Sequence, residues 1–310
     1  MIHWIGSSPL SPARRVVTVG GFDGVHPGHL RVVHEMQRIA HERDLEVLVA
    51  SFDPHPRALL FGEEERRLTT PAERAGLLKD AGVHHVVTLA FSQEMAAMSP
   101  EDFVETILCN QLGAKAVVVG HDHRFGRGRS GNIDVLRRLG HEHGFDVVQM
   151  EALVQDGDPV SSSRIRDQLS QGHVAEAARL LGRRYSFGGT VVKGAGRGRT
   201  IGVPTANLNP SDARKVIPLK GVYAVRVILP GDDTPAPGMM NIGYRPTFDG
   251  SGLHLEVNIL DWTGDLYGRE VRVEFVARIR DEQKFSGPEE LVTQLNRDRQ
   301  RCRALLEDVS

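Results

Sequence analysis

Two histidines three residues apart stand in a glycine-rich segment near the beginning of the chain. The segment GGFDGVHPGH covers residues 20–29 and contains His26 and His29. Glycines let a backbone approach a phosphate closely, and two neighbouring imidazoles can stabilise charge that develops on a phosphoryl group. Both could instead be polar residues at a helix start, and no third ligand stands nearby at the spacing of a metal site. Spacing alone leaves phosphoryl chemistry and a structural role open.

A second glycine-rich segment, GAGRGRTIGVPTAN, covers residues 194–207. It is not a P-loop because GxxxxGK[ST] is absent, and no helical pattern follows it as a Rossmann fingerprint requires. Thr205 and Asn207 end the segment with a hydroxyl and an amide oxygen, which are hard ligands able to join phosphate oxygens around Mg²⁺. A glycine-rich loop of a β-barrel is the alternative interpretation.

The first half of the chain alternates between two kinds of segment. Short valine-rich runs, typical of buried parallel strands, occupy residues 16–22, 46–52, 84–91, 114–120 and 145–150. Helices are predicted at residues 28–43, 71–81, 100–112, 131–144, 161–169 and 174–181. This alternation predicts a doubly wound parallel sheet, whose ligands bind at the carboxyl ends of the strands. His26 and His29 follow such an end.

The pattern changes after Arg184. Strand-like segments, separated by glycine, proline and aspartate turns, lie at residues 185–193, 221–229, 238–244, 253–260 and 270–279. They predict an antiparallel β-barrel, with a terminal helix at about residues 288–306. Thirteen of the 14 histidines precede Arg184, which marks the same boundary. For 310 residues we expect two domains, residues 1–183 and 184–310.

Composition argues against several classes of protein. The 38 basic and 40 acidic side chains give a net charge of −2, which does not suit bulk nucleic-acid binding. No run of about 18 apolar residues predicts a membrane span, and the first residues lack the order of a signal peptide. Cys109 and Cys302 cannot form a disulfide framework. We expect a cytoplasmic protein with no nucleic-acid or membrane partner and no obligate protein partner.

The HxGH tetrad behind an FDG turn resembles the signature of the nucleotidylyltransferase superfamily. Those enzymes transfer a nucleoside monophosphate from an NTP to a phosphate-bearing acceptor and release pyrophosphate. Their second signature is a Ser/Thr-rich helix start with basic residues, which SSSRIR at residues 161–166 matches. The resemblance implies ATP contacts at Gly21, Phe22, Asp23, Gly24, His26, His29, Ser161, Ser162, Ser163 and Arg166.

The second half carries several further motifs in a familiar order. GxGRGRTIGVPTAN, GVYAV at 221–225, MNIGYRPTF at 240–248, LEVNILDW at 255–262, GDLYG at 264–268 and IRDEQKF at 279–285 resemble the riboflavin kinase domain. With the N-terminal half, the resemblance covers almost the whole chain. The sequence is therefore similar to the bacterial bifunctional riboflavin kinase/FMN adenylyltransferases, also called FAD synthetases.

The resemblance implies two ATP- and Mg²⁺-dependent reactions. The barrel would phosphorylate riboflavin to FMN with Glu256 as base, and the α/β domain would adenylylate FMN to FAD with His26 and His29 stabilising charge. Thr205 and Asn207 would hold magnesium. Kinase contacts to ATP are expected at Gly194, Gly196, Gly202, Pro204, Thr205 and Asn207, and to flavin at Arg280, Glu282 and Phe285. FMN contacts in the adenylyltransferase are expected at Phe52, Pro56, Asp122, Arg124 and Phe125.

These loop assignments have alternatives. Residues 52–57 and 120–131 could be solvated connections rather than acceptor sites, and His123 stands where the family usually has an aromatic residue. Strand alternation places Glu256 and Asn258 opposite Leu255 on the outward face, where a carboxylate is usually just solvated. Another HxGH nucleotidylyltransferase and a flavin-binding regulator with inactive sites are the competing functions.

Overall fold

The computed structural model describes residues 2–4, 14–62, 64–194, 203–232, 234–244 and 252–307. The chain divides into two compact units, Met1–Ser162 and Ser163–Ser310. This division falls inside a helix, whereas the sequence predicts a domain boundary near Arg184. That predicted boundary stays a prediction. In the described part of the chain, no helix is long and apolar enough to cross a membrane.

A six-stranded sheet forms the centre of the first unit. Its strands are β1 (Ile2–Trp4), β2 (Arg15–Val19), β3 (Glu46–Asp53), β4 (His85–Ala90), β5 (Ala114–Gly120) and β6 (Asp146–Met150). They lie in the order β1-β4-β3-β2-β5-β6, with β1 antiparallel to β4 and all other pairs parallel. The parallel sheet is confirmed, and β1 is an additional edge strand. The strand order reverses beside β2, so its carboxyl end is the expected ligand crevice.

Helices cover both faces of this sheet. They are α1 (Pro27–Arg43), α2 (Pro56–Phe61), α3 (Pro71–Asp80), α4 (Gln93–Ala97), α5 (Pro100–Phe103), which continues as a π-helix to Gln111, and α6 (Ile133–His143). Strand residues alternate between two cores: Val47 packs with Met36 of α1, and Leu48 packs with Leu136 of α6. The doubly wound fold is therefore confirmed. A two-stranded hairpin of β7 (Val154–Gln155) and β8 (Asp158–Pro159) follows β6.

The second unit is a closed antiparallel barrel, with three helices among its described residues. Its strands are β9 (Ser186–Val192), β10 (Ala206–Pro210), β11 (Gly221–Ile228), β12 (Ala236–Tyr244), β13 (Leu253–Ile259) and β14 (Glu270–Arg280), closed in the order β10-β13-β12-β11-β14-β9. The helices are α7 (Ser162–Ser170), α8 (Val174–Leu181) and α9 (Pro288–Glu307). The barrel and its terminal helix are confirmed, while β10 is a strand that the sequence pattern did not predict.

Helix α9 packs against the outer face of the barrel. Its Cys302 and Leu306 form a buried cluster with Val222, Ala224 and Met239, whereas Tyr223 on the opposite face of β11 is fully buried. Asn258 is directly opposite Met239 in the register and is 2% exposed. Asn258 therefore lies on the face that alternation predicts, and α9 covers it, with Arg299 Nε donating to Asn258 Oδ1 at 3.4 Å.

Candidate active sites

The predicted nucleotide-binding turn leads from the end of β2 into α1. His26 directly precedes α1, and His29 lies in its first turn behind Pro27. The two imidazole rings stack with centroids 3.7 Å apart, and the His29 ring lies 4.7 Å from that of Phe22. A helix N-terminus attracts anions because its backbone N–H groups point outward. The turn therefore places a stacked pair of imidazoles where a phosphate group is favoured.

The same turn has an unfavourable backbone conformation. Phe22 and Val25 have φ angles of 46° and 41°, in the left-handed region that side chains with a β-carbon avoid. Each such residue costs on the order of 1–3 kcal/mol and persists only when its surroundings hold it. The backbone N–H of Gly24 donates to Thr69 Oγ1 at 2.9 Å, which is one of the contacts that hold the turn.

Asp23 anchors this turn to the segment before α3. Its carboxylate is buried and accepts hydrogen bonds from the backbone N–H groups of Leu68 and Thr69, both at 2.9 Å, and from the Thr69 hydroxyl at 3.1 Å. Ser162 Oγ donates to the backbone oxygen of Asp23 at 2.8 Å. The structure thus gives the Asp23 side chain a positioning role, and its predicted contact with ATP stays a prediction.

Asp23→Ala should destabilise the first unit and slow FAD formation. The change leaves two buried backbone N–H groups without their acceptor, and each such loss costs about 1–3 kcal/mol. We expect a lower melting temperature of the first unit in calorimetry together with a loss of adenylyl transfer. Asp80→Ala, at an exposed aspartate that ends α3, is the matched control. Wild-type melting and FAD formation in Asp23→Ala would contradict the anchoring role.

A buried arginine approaches the turn from the other side. Arg74 of α3 donates from Nη1 to the backbone oxygen of Gly21 at 3.2 Å, and burial lowers the pKa of its guanidinium. Nearby, Arg67 Nη2 donates to Asp53 Oδ1 at 2.9 Å. A β-carbon on Gly21 would lie 3.5 Å from His55 Nε2. The turn after β2 and the segment after β3 therefore lie side by side.

The predicted FMN contacts lie after β3 and β5, at the same edge of the sheet. The Phe52 ring meets that of Phe91 edge-on with centroids 5.5 Å apart, and Pro56 begins α2. Asp122 and Arg124 are exposed. Exposed polar groups at this edge remain available to an acceptor, and their FMN contacts stay predictions.

Two rings of the loop after β5, Phe125 and His123, pack against other residues rather than facing solvent. Phe125 is 7% exposed and packs against Phe103 at 5.8 Å, so its ring has a role in the core. His123 stacks on Phe125, and burial lowers its pKa to about 4. His123 is therefore neutral at pH 7 and brings no positive charge to a phosphate. The predicted flavin contact of Phe125 stays a prediction.

The SSSRIR motif spans the division between the two units. Ser161 and Ser162 belong to the first unit, where Ser162 contacts the Asp23 backbone. Ser163 and Arg166 lie on α7 in the second unit, and Arg166 Nη2 donates to Ser163 Oγ at 3.4 Å. The motif begins a helix, as the sequence predicts.

In the barrel, three polar residues lie in one row across neighbouring strands. Asn207 of β10 and Asn241 of β12 are the direct register partners of Glu256 on β13. Side chains at opposed positions of antiparallel strands share a face and lie close together. The predicted base and the predicted magnesium ligand Asn207 are therefore brought together, and Asn241 is an additional polar neighbour that the motifs did not single out.

Gly194→Ala should weaken the kinase without affecting adenylyl transfer. A β-carbon on Gly194 would lie 2.1 Å from Asn207 Nδ2, so the carboxamide would have to move. Overpacking of this kind costs about 1–3 kcal/mol, which corresponds to a rise of about tenfold or more in KM for ATP. Steady-state kinetics of FMN formation measure it. Gly76→Ala, at an exposed glycine of α3 where a β-carbon meets no atom within 4 Å, is the control for glycine replacement. An unchanged KM would show that Asn207 does not contact ATP.

A pocket of about 240 Å³ opens between the PTAN segment and the loop after β13. Pro204 and Thr205 line one side, and Trp262, Asp265 and Tyr267 line the other. Asn258 Nδ2 donates to the backbone oxygen of Pro204 at 2.7 Å and so fixes the PTAN segment. The GDLYG motif pointed to this loop, but the sequence did not show that it faces Thr205.

The predicted flavin residues lie at the end of β14 and in the segment after it. Arg280 lies with its guanidinium carbon 5.7 Å from the Phe285 ring centroid. Glu282 lies over Gly243, since a β-carbon there would be 2.2 Å from its Oε1. The predicted ATP contacts Gly196 and Gly202 lie outside the described residues.

Comparisons with known proteins cover both halves of the chain. A family model described as FAD synthetase matches residues 8–164, and one described as riboflavin kinase matches residues 181–306. The bifunctional riboflavin kinase/FMN adenylyltransferase of Escherichia coli strain K12 is 39% identical over 298 residues, covering 96% of this chain and 94% of its own. The chain belongs to the bifunctional riboflavin kinase/FMN adenylyltransferase family. The bifunctional riboflavin kinase/FMN adenylyltransferase of Pseudomonas fluorescens is also 39% identical, covering 97% of this chain and 96% of its own.

The fold of this family member is also found in a solved structure. A crystal structure described as a macrolide-efflux protein from Streptococcus pneumoniae aligns with a TM-score of 0.88 and 34% identity, covering 94% of this chain and 95% of its own. Both family models that match this chain describe flavin enzymes rather than an efflux protein. The family predicted from the motifs is thus confirmed.

Proposed function

We propose that this protein phosphorylates riboflavin to FMN and adenylylates FMN to FAD, using ATP in both reactions. The observation that carries the proposal is the presence of two separate constellations in a chain that matches both enzyme families. One is the stacked pair His26 and His29 before α1, and the other is the row of Asn207, Glu256 and Asn241. We assign the adenylyltransferase to residues 1–183 and the kinase to residues 184–310.

In the adenylyltransferase, the FMN phosphate attacks the α-phosphorus of ATP and pyrophosphate leaves. The attacking group is already anionic, so the reaction needs charge stabilisation rather than a strong base. His26 and His29 supply that stabilisation at the N-terminus of α1, where the helix dipole adds to it. Asp23, Thr69 and Arg74 hold the strained turn in place, which keeps these donors oriented before the substrates bind.

In the kinase, the 5′-hydroxyl of riboflavin attacks the γ-phosphorus of ATP. Glu256 accepts the hydroxyl proton as general base, and Asn207 beside it orients the transferred phosphoryl group for in-line attack. Arg280, Glu282 and Phe285 bind the flavin, and the pocket between Thr205 and Tyr267 receives ATP. The reaction therefore takes place at the end of the barrel where β10 and β13 meet.

Magnesium fits the donors of this barrel site. A hydroxyl at Thr205 and an amide oxygen at Asn207 are hard oxygen ligands, and Mg²⁺ is usually held by one or two protein groups together with phosphate oxygens. Among the described residues no cluster of three or more His, Cys, Asp or Glu side chains could hold a metal by itself. Thr205 and Asn207 would hold the ion, which would neutralise phosphate charge when bound.

We place both reactions in the cytoplasm. Cys109 and Cys302 are free thiols, and burial raises the pKa of Cys302 to about 12, so it stays a protonated thiol. Free cysteines suit a reducing compartment. Fractionating the cells and assaying each fraction for FAD formation tests the location.

Incubating the purified chain with riboflavin and Mg-ATP, then separating the flavins by chromatography, tests the two activities. We expect FMN to appear first and FAD to follow, and FAD alone to form when FMN is supplied. Absence of both products would overturn the proposed function. Flavin binding without consumption of ATP would instead indicate a regulator with inactive sites.

A further inference from the structure

The segment Asp281–Ser286, followed by Gly287, joins β14 to α9 and carries two of the predicted flavin contacts, Glu282 and Phe285. Most of its residues are exposed, so packing alone does not fix its conformation. Hydrogen bonds fix it at both ends instead. The groups that make these bonds come from β14 and from α9.

The end of the segment is attached to the first turn of α9. Ser286 donates from its backbone N–H and from its hydroxyl to Glu290 Oε2, both at 2.8 Å. These hydrogen bonds lower the pKa of the Glu290 carboxyl. The contact fixes the last residue of the segment relative to the helix.

The start of the segment is attached through a buried ion pair. Arg280 donates from Nε to Asp298 Oδ2 at 2.9 Å, its Nη2 lies 2.8 Å from the same oxygen, and its Nη1 donates to the backbone oxygen of Asp281 at 2.8 Å. Asp298 lies on α9, is 2% exposed, and accepts a further hydrogen bond from Gln294 Nε2 at 2.8 Å. The planar guanidinium thus connects α9 to the first peptide of the segment.

The contact between Arg280 and Asp298 fixes the positions of the predicted flavin contacts. A guanidinium held by two of its nitrogens on one carboxylate has a fixed plane, unlike a lysine ammonium. Phe285 lies against that guanidinium at 5.7 Å, which is a cation–π contact. Glu282 lies over Gly243 of β12, close to Asn241 in the Glu256 row. Rotation of Arg280 would therefore move both flavin contacts relative to the base.

We propose that Asp298 is a positioning residue of the kinase. It holds the Arg280 guanidinium, and through it the Asp281–Ser286 segment, in the conformation that presents Glu282 and Phe285 to the flavin. Asp298 itself touches neither substrate. The proposal rests on the proposed riboflavin kinase function and adds a residue that lies on α9, outside the motifs that indicated the flavin site.

Asp298→Asn tests this role because it removes the charge and keeps the shape. We expect KM for riboflavin to rise about tenfold or more, while KM for ATP changes less than twofold and FAD formation from supplied FMN is unchanged. A purely structural ion pair would lower the melting temperature and leave the ratio of the two KM values unchanged. In a double-mutant cycle with Arg280→Gln, the second change should add little to the first.

Arg303→Gln is the matched control. Arg303 also lies on α9, and its ion pair with Asp261 is 2.8 Å long but exposed to solvent. This control variant should leave both KM values unchanged. If Asp298→Asn does not fold, Asp298→Glu replaces it, because it keeps the charge but moves the carboxylate by one methylene, and KM for riboflavin should rise severalfold. An unchanged riboflavin KM in the folded Asp298 variant overturns the positioning role. A wild-type protein that makes no FMN overturns the kinase function itself, and the positioning role with it.

Discussion

His29→Ala should reduce FAD formation about 100- to 1,000-fold, which is the usual effect of removing one donor from a site that stabilises developing charge. FMN formation should continue at the wild-type rate, because the kinase constellation lies in the other unit. The variant removes the ring that stacks on His26 and lies against Phe22, so both the charge and the orientation of the remaining imidazole are lost. Chromatography of flavins formed from riboflavin and Mg-ATP measures both reactions in one sample.

His34→Ala provides the matched control for this variant. His34 is also on α1, one turn further along, but it is exposed. It should leave FAD formation unchanged, so a general effect of losing a histidine from the helix can be separated from loss of the paired imidazole. Wild-type FAD output from a folded His29→Ala protein would remove the histidine pair from the mechanism.

The position of the adenylyltransferase site could be predicted from the sequence because its main features are local. A valine-rich strand, a glycine turn and a helix start follow one another within 30 residues, and that order alone places His26 and His29 at a sheet edge. The anchors of the turn could not be predicted. Thr69 and Arg74 are separated from it by 45 to 53 residues, and only the folded sheet brings them together.

The fold could be predicted where periodicity was strong and not where it was weak. Buried valine runs identified the five parallel strands, and alternation identified five of the six barrel strands. Strand β1 has only three residues, and β10 reads ANLNP, which is polar and contains a proline. Strand β10 forms because its backbone pairs with β9 and β13. Those long-range hydrogen bonds cannot be inferred from the local composition.

The neighbours of the predicted base in the kinase site could not be predicted from the sequence either. Alternation placed Glu256 on the outward face of β13, and a carboxylate there is usually solvated. Only the register shows that Asn207 and Asn241 are its neighbours on that face, and that α9 covers the adjoining Asn258. A resemblance was needed to select Glu256 from the sequence, whereas the strand pairing supplies a physical reason for it.

Glu256→Gln should abolish FMN formation from riboflavin, with a loss of about 10²–10⁴-fold, the range expected for a general base. Glutamine keeps the length and most of the hydrogen bonding of glutamate but cannot accept the hydroxyl proton. FAD formation from supplied FMN should be unaffected. The variant should therefore produce an enzyme that converts FMN but not riboflavin, the opposite of His29→Ala.

A comparison with Glu270→Gln separates the base from other carboxylates of the barrel. Glu270 begins β14 and is exposed, so its replacement should leave both activities at the wild-type level. If Glu256→Gln keeps its kinase activity, the proton must go to another group, and Glu282 is the candidate because it lies over Gly243, two residues from the Glu256 partner Asn241. Adding Glu282→Gln to that variant would then lower kcat at saturating riboflavin, whereas loss of a flavin contact alone would raise KM for riboflavin. Because the two carboxylates belong to different strands and segments, the single and double variants together assign the proton transfer to one of them.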